Sequence, residues 1–329
     1  MLHWGLLGTG FITHKTAMAI GASDGSVIRT IAGRKPESLA DFQRKYAIPE
    51  ISVGYDDVLD DPQIDVVYIG LPNHVHHTLT IAAAQKGKAV LSEKSLTTTM
   101  EEAHALAAAV RANATFFVEG FMYLSHPLYL RLMDILAEGR LGRLRAITGF
   151  YSADIWKVTN PLGRGTLYNL GCYPVSLMHL VVQTLCGEDM FATGRLAGMG
   201  NVSAHDGTIC DAAVTARFGN GVLATLQSTD SYGMDNAFMI SGDKGTLRFM
   251  TNPWFPVAGR NHLRWTPYDG DPEDIYVDAD HDAFYYQVKM VEASLAAGRK
   301  EAARPSPRLE DSLEIMSFLT EWERQCLVR

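Results

Sequence analysis

The sequence lacks three features that would place it in common functional classes. It contains no apolar run of 18 or more residues, the length that a membrane-spanning helix needs. Its 4 cysteines lie far apart without a C-x-x-C pair, which favours free thiols over disulfides or a zinc site. With 29 Lys and Arg against 37 Asp and Glu, it also lacks the basic excess of a protein that binds nucleic acid or anionic membranes.

The N-terminal residues MLHWGLLGTG enter a strand pattern directly, without the charged segment and cleavage site of a signal peptide. We therefore expect a cytoplasmic protein with no membrane or nucleic-acid partner. Three nearby histidines, His74, His76 and His77, have no acidic or cysteine partner at ligand spacing, so we expect no metal.

Short apolar strands alternate with helical patterns through the first 120 residues. Strands separated in this way form right-handed βαβ crossovers and a parallel sheet covered on both faces. The sequence thus predicts an α/β fold whose residues 1–122 form a doubly wound Rossmann domain. Its predicted strands are Leu2–Leu7, Ser26–Ala32, Val66–Gly70, Ala89–Leu91 and Thr115–Val118. Its predicted helices are Pro36–Tyr46, Val75–Lys86 and Met100–Ala112.

Residues 123–329 follow a different pattern, in which strands succeed one another without helices between them. We expect an α+β domain with a large, mostly antiparallel sheet whose open face needs a cover, and therefore a homodimer or higher homo-oligomer. The predicted strands are Leu144–Ser152, Asp211–Phe218, Val222–Asp230, Ala237–Ser241 and Thr246–Met250.

The first strand is followed by GTGFIT, a partial match to the glycine fingerprint of dinucleotide-binding turns. Gly8 permits the tight turn, Gly10 lets the backbone approach a pyrophosphate, and Thr13 replaces the third small residue. A tight turn without a ligand is the alternative. The residues expected to hold the pyrophosphate are Gly8, Thr9, Gly10, Phe11 and Ile12.

The second strand ends in Gly33-Arg34-Lys35, with two cations where NAD-specific sites place an acid. A carboxylate would repel a ribose 2′-phosphate, whereas Arg34 can hold it with two parallel hydrogen bonds. We therefore expect NADP to be preferred over NAD. A solvated basic turn that precedes the helix Pro36–Tyr46 remains the alternative.

Three segments that follow in order carry a family resemblance: Pro72–His76 (PNHVH), Gly87–Val90 (GKAV) and Glu93–Ser95 (EKS). With the glycine turn, they resemble the Gfo/Idh/MocA family of glucose–fructose oxidoreductase, inositol dehydrogenase and related sugar dehydrogenases. That family has Pro-Asn-x-x-His, Gly-Lys-x-Val and Glu-Lys-Pro motifs. The resemblance continues through EGFMYLSHP into the second half.

The resemblance implies that Lys94 contacts both the substrate hydroxyl and the nicotinamide ribose. An ammonium there lowers the pKa of a nearby hydroxyl and stabilises a developing alkoxide. In the family the Lys-Pro peptide is typically cis, but Ser95 replaces the proline, and a cis bond before another residue costs about 2.5–4 kcal/mol. We therefore predict a trans Lys94–Ser95 bond, with a strained cis bond held by the site as the alternative. By the same resemblance, the cofactor is lined by Leu71, Pro72, Asn73, His76, Glu93 and Lys94.

A helix predicted to begin near Asn169 or Leu170 carries the second catalytic group by resemblance. The family has Asp-x-Gly-x-His there, or Asp-x-Gly-x-Tyr in the glucose–fructose oxidoreductase and dimeric dihydrodiol dehydrogenase branches, and this chain reads Asn169-Leu170-Gly171-Cys172-Tyr173. Tyr173 thus falls at the general acid/base position. Asn169 retains hydrogen bonds to a sugar hydroxyl but no charge. Open alternatives are a helix-capping Asn169 and a merely buried Tyr173.

Together these features predict a hydride-transferring oxidoreductase that uses NADP on a secondary alcohol or carbonyl of a sugar, polyol or cyclic diol. Lys94, Tyr173 and Asn169 are its predicted catalytic residues. Two alternatives within the same fold stay open. One is a non-catalytic regulator that binds NADP, and the other is a glycosidase that retains its cofactor.

Overall fold

The computed structural model describes residues 1–233 and 235–327. The chain divides into two compact units: Met1–Ser125 with Ala283–Leu313, and His126–Asp282 with the remainder from Glu314. A single boundary between residues 122 and 123 does not describe this division, because residues 283–313 belong to the first unit.

The first unit is built on a parallel sheet with the strand order β3-β2-β1-β4-β5-β6. This is the doubly wound order. In such sheets ligands bind outside the carboxyl ends of the strands, at the point between β1 and β4 where the strand order reverses. The strands are β1 (Leu2–Leu7), β2 (Ser26–Gly33), β3 (Glu50–Val53), β4 (Val66–Ile69), β5 (Ala89–Glu93) and β6 (Phe117–Gly120). The helices that begin in this unit are α1 (Phe11–Gly21), α2 (Pro36–Tyr46), α3 (Asp56–Asp60), α4 (His76–Gln85), α5 (Met100–Asn113), α8 (Ala283–Ala296) and α9 (Leu309–Leu327).

Strands buried on both faces hold this sheet together. All four residues of β4 and all five of β5 are buried, as expected for parallel strands covered by helices on either side. The ends of β1 and α2 are as predicted, and most other ends differ by one or two residues. β3 has no predicted counterpart because it is a four-residue edge strand, too short for its alternation of Ile51 and Val53 with polar residues to stand out.

The second unit contains an eight-stranded sheet in the order β14-β13-β12-β11-β7-β10-β9-β8. Its pairs are antiparallel except for β10 with β7, which confirms the predicted fold class. The strands are β7 (Leu144–Ser152), β8 (Arg195–Val202), β9 (Ile209–Arg217), β10 (Leu223–Thr229), β11 (Asn236–Gly242), β12 (Gly245–Phe249), β13 (Gly259–Pro267) and β14 (Glu273–Ala279). The helices are α6 (Pro127–Ala137) and α7 (Cys172–Cys186).

On one face of this sheet, uncharged residues follow one another in register from β8 to β11, and the next residue of the row is Arg248 on β12. Ala197, Thr215, Thr225, Thr148 and Met239 follow one another across β8, β9, β10, β7 and β11. The first four are exposed and Met239 is half-buried. The predicted open face is therefore present in this unit.

The described residues contain neither a membrane-spanning helix nor a metal-binding cluster. None of the helices within 1–233 and 235–327 combines the length and apolar composition required to cross a bilayer. The same residues hold no group of three or more His, Cys, Asp and Glu side chains placed to bind a metal ion.

Candidate active site

The turn between β1 and α1 has the geometry of a dinucleotide-binding turn. Gly8 has φ +104°, and a Cβ there would lie 2.6 Å from the carbonyl oxygen of Gly70. Gly10 caps α1, and a Cβ there would meet no protein atom within 4 Å. Only Gly8 is required by the fold, whereas the absence of a side chain at Gly10 leaves open space beside the helix N-terminus, where a pyrophosphate fits.

Thr13, which replaces the third small residue of the fingerprint, is accommodated by Gly70 at the end of β4. The Thr13 hydroxyl donates a hydrogen bond to the Gly70 carbonyl at 3.4 Å. A Cβ at Gly70 would lie 2.4 Å from the Thr13 oxygen. Gly70 thus leaves the space that Thr13 needs. Helix α1 can therefore pack against the end of β4 although the third glycine of the fingerprint is absent.

Arg34 and Lys35 directly follow β2, and both are exposed. Lys35 stands at the N-cap of α2, with Pro36 as the first helical residue. The Arg34 charge lowers the pKa of Tyr55 against the larger raising effect of burial, so guanidinium and phenol are neighbours. An exposed guanidinium at the end of β2 is placed as the 2′-phosphate prediction requires.

Asn73 and His76, after β4, have different roles in the structure. The Asn73 side-chain nitrogen is buried without a hydrogen-bond partner, a donor that a cofactor oxygen can satisfy. His76 is 0% exposed, and its ring nitrogens lie 2.8 Å from the Ser95 carbonyl and 2.7 Å from the Leu71 carbonyl. Burial lowers the pKa of His76 to about 4, so the neutral ring donates to one carbonyl only. His76 therefore holds together the loops after β4 and β5.

Lys94, half-buried after β5, lies beside two buried carboxyl groups. Burial raises the pKa of Glu93 to about 7, while Lys94 and a 3.0 Å hydrogen bond from the Tyr68 hydroxyl oppose the rise. Burial also raises the pKa of Glu119, on β6, to about 8, again against Lys94. The ammonium is thus the cation that favours ionisation of both carboxyls at this edge of the sheet.

The Lys94–Ser95 peptide is cis, so the predicted trans bond is wrong. The prediction gave more weight to the intrinsic preference of the peptide unit than to the surrounding site. Ser95 is 1% exposed and its carbonyl faces His76, and such tertiary contacts decide the conformation in the folded chain. The cis geometry of the resembling family is therefore present without its proline.

Tyr173 lies in the first turn of α7, in the second unit, and is 4% exposed. Its ring contacts those of Tyr151 (5.3 Å between centroids, edge-on), Trp254 (6.1 Å) and Phe255 (6.1 Å). The helical path begins before the predicted start, with a π-helical turn over Leu167–Gly171. Pro174 explains the irregularity, because it has no N–H for the carbonyl that a regular α-helix would pair with it.

Asn169 is half-buried in this π-helical turn. The carboxyl group of Asp230 lies beside it. Asp230, directly after β10, is 3% exposed, and burial raises its pKa to about 6, opposed by the neighbouring Asn169 side chain. Asp230 borders a cavity of ≈ 330 Å³ within the second unit that Trp156 also lines.

Two residues of these sites, Glu119 and Asp230, were not predicted from the sequence. Glu119 had a signal, since it directly follows the last predicted strand of the Rossmann domain and precedes Gly120. Asp230 had none, because nothing in a strand that ends STD distinguishes this acid from a solvated one. Arg164, which precedes the π-helical turn, forms a 2.8 Å ion pair with Glu323.

Comparison with known proteins gives matches over most of the chain. Residues 2–121 match the model of an oxidoreductase family with an NAD-binding Rossmann fold, and residues 129–248 match the GFO/IDH/MocA C-terminal domain. An uncharacterised oxidoreductase of Rhizobium meliloti is 33% identical over 80% of this chain and 78% of its own. Trans-1,2-dihydrobenzene-1,2-diol dehydrogenase of Xenopus laevis is 28% identical over 97% and 96%.

The fold is also found among solved structures. A 3-ketoreductase from Actinomadura kijaniata, crystallised with NADP and TDP-benzene, superimposes with a TM-score of 0.84. The match covers 97% of this chain and 96% of the other at 23% identity, which supports the fold alone.

Proposed function

Because the chain belongs to the Gfo/Idh/MocA family of oxidoreductases, we propose that it transfers a hydride between NADP and a secondary alcohol or carbonyl of an uncharged sugar, polyol or cyclic diol. It is an oxidoreductase acting on CH–OH groups, with a nicotinamide cofactor bound by its Rossmann fold. The observation that carries the proposal is the carboxyl edge of the first sheet, where the open glycine turn after β1 and Lys94 after β5 occur together.

The residues of the first unit fit the cofactor. The N-terminus of α1 and the space at Gly10 take the pyrophosphate, the unpartnered amide of Asn73 donates to a cofactor oxygen, and Arg34 holds the 2′-phosphate. The bound nicotinamide supplies the carbon that accepts or donates the hydride.

Lys94 and Tyr173 carry the proton chemistry in this proposal. Lys94 donates a hydrogen bond to the reacting oxygen, and its charge stabilises negative charge that develops there. Tyr173 exchanges the proton of that oxygen as general acid and base. The aromatic rings around Tyr173 exclude water, and Asn169 binds a neighbouring hydroxyl group through its amide.

A parallel fluorescence titration with NADPH and NADH tests the cofactor, followed by hydride transfer to a panel of sugars, polyols and cyclic diols. We expect NADPH to bind more tightly and at least one compound of the panel to be turned over. Equal or tighter binding of NADH would refute the NADP preference. A folded protein that binds NADPH but reacts with no member of the panel would favour a regulator.

We also propose that the open face of the second sheet is covered by a second copy of the chain. Its in-register row of alanine, threonine and methionine side chains offers little charge to solvent, unlike the surface of a monomer. Sedimentation should show a dimer or higher oligomer, and Thr225→Lys, which places a charge in this row, should shift the mass toward a monomer. A wild-type monomer would contradict the proposal.

A further inference from the structure

The cavity in the second unit has the size and chemistry of a ligand site. Its volume of ≈ 330 Å³ lies at the lower end of the range for small-molecule sites. The described residues that line it include an aromatic ring, hydroxyl groups and carboxylates, but no lysine or arginine. Such a wall suits a ligand with hydroxyl groups, and its carboxylates disfavour a phosphorylated or carboxylated one, although the Lys157 ammonium lies 5.4 Å from the centre of the Trp156 ring.

Asp230 is the only member of that wall that is both charged and almost fully buried, at 3% exposure. Its backbone fixes its position: its N–H donates to the Cys210 carbonyl at 3.1 Å, and its carbonyl accepts from the N–H groups of Ile155 (2.9 Å) and Trp156 (3.0 Å). A carboxylate held in this way without a cationic partner among the lining residues costs folding free energy, which marks a candidate functional group.

Trp156 is joined to Asp230 by this backbone hydrogen bond and presents its ring to the same cavity. The ring of His205 contacts it edge-on with 4.4 Å between centroids, which restrains the indole. A carboxylate and an indole at fixed separation can bind the hydroxyl edge and the C–H face of one sugar ring at the same time.

Asn169 connects the cavity to the helix of Tyr173. The Asn169 side chain lies close enough to the Asp230 carboxyl to lower its pKa, and Asn169 lies four residues before Tyr173 along the same helical path. We propose that this cavity is the substrate's hydroxyl subsite, in which Asp230 accepts hydrogen bonds from an uncharged polyhydroxylated ligand and Trp156 packs against its ring. This inference rests on the proposed function and names the residues that select its substrate.

The test is binding of levoglucosan, D-glucose and myo-inositol to the NADP⁺-saturated protein, measured by calorimetry, with steady-state kinetics on any compound that is turned over. Hydrogen bonds to a charged group are worth about 1.5–3 kcal/mol, so Asp230→Asn should weaken binding by about 10- to 100-fold. KM should rise by the same factor, with a smaller change in kcat and unchanged NADPH affinity. Trp156→Phe should weaken sugar binding by about 3- to 10-fold.

A matched control and a paired substitution separate this role from a structural one. Asp243→Asn removes a carboxylate of the same unit that pairs with Arg143 at an exposed turn, so sugar binding should be unchanged. Exchanging the two side chains, as Asn169→Asp with Asp230→Asn, retains one carboxylate and one amide in contact and should recover most of the lost affinity. A merely structural Asp230 predicts no such recovery.

The outcomes distinguish this inference from the proposed function. Turnover of a sugar with unchanged KM in Asp230→Asn would overturn the subsite and leave the oxidoreductase in place. Sugar binding that is lost in Asp230→Asn, without turnover by the wild type, would support the subsite and contradict the proposed reaction. A wild-type protein that binds NADPH but none of the three compounds would overturn the subsite and the substrate class together.

Discussion

The first unit builds its candidate site from short motifs at the ends of its strands, whereas the second builds it from side chains that are distant in sequence. After β1 and β4 the important features are a glycine φ, a space without a Cβ and a buried amide within a short loop. In the second unit, Asn169 and Asp230 meet only because a π-helical turn lies against the end of β10. A site of the first kind can be recognised in the sequence from a short motif. A site of the second kind can be recognised only when the fold is known.

The strongest test of this contrast removes one chemical group from each unit. Lys94→Ala and Tyr173→Phe should each lower kcat by about 10²- to 10⁴-fold, the range of a general acid/base contribution. NADPH affinity should fall little in Tyr173→Phe, because that residue belongs to the second unit. Steady-state kinetics measure the loss.

Matched variants show whether such losses are local. Lys86→Ala removes an exposed lysine that pairs with Asp60, and Tyr276→Phe removes an exposed hydroxyl on β14. Both should retain wild-type turnover. Near wild-type rates in either Lys94→Ala or Tyr173→Phe would contradict the corresponding catalytic assignment.

The two glycines of the first turn separate folding from cofactor binding. Gly8→Ala places a Cβ 2.6 Å from the Gly70 carbonyl at φ +104°, so it should destabilise the protein. Gly10→Ala meets no protein atom, so the melting temperature should stay constant while NADPH affinity falls by about 10-fold or more, since the methyl group occupies the approach to the helix N-terminus.

Calorimetry of the melting transition and fluorescence titration give the two readouts. Gly21→Ala, at the other end of α1, also meets no protein atom and should change neither. If Gly10→Ala bound NADPH as tightly as the wild type, the proposed role of the glycine turn in cofactor binding would be contradicted.

The sequence predicts the first unit better than the second. The parallel strands of the first unit are apolar runs between helices, and β1 and α2 were located to the residue. β8, β13 and β14 were missed because exposed and half-buried residues predominate in these outer strands, in sequences rich in Arg, Asn and Asp. No local pattern indicates that residues 283–313 return to the first unit.

Arg34 tests a prediction made from residue type alone. Arg34→Ala should lower the affinity for NADPH by about 10-fold, the value of one lost charge-assisted pair, and leave NADH binding unchanged because NADH has no 2′-phosphate. Lys45→Ala, which removes another exposed cation from α2, is the control. An equal loss for both cofactors would indicate a non-specific charge effect.

The smallest expected effect is on stability, and it concerns Asp230, the residue that sequence patterns did not reveal. Burial raises its pKa from 3.8 to about 6, opposed by Asn169 and aided by the charges of Asp206 and Asp211. The folded state therefore binds more protons than the unfolded chain between about pH 4 and 6, and stability falls as pH rises through that window. The pKa values of Asp206 and Asp211 are themselves lowered, so their titration has the opposite sign and belongs at lower pH.

Asp230→Asn should remove the fall in stability that accompanies ionisation of Asp230, and it should therefore stabilise the protein above pH 6. Linkage sets an upper bound of about 3 kcal/mol, and burial of the new amide reduces the expected gain to about 1 kcal/mol. Melting temperatures of wild type and variant should converge near pH 4 and separate by a few degrees at pH 7. Parallel profiles would mean that Asp230 is ionised at no cost in the folded protein, and hence that its burial gives no reason to expect a ligand there.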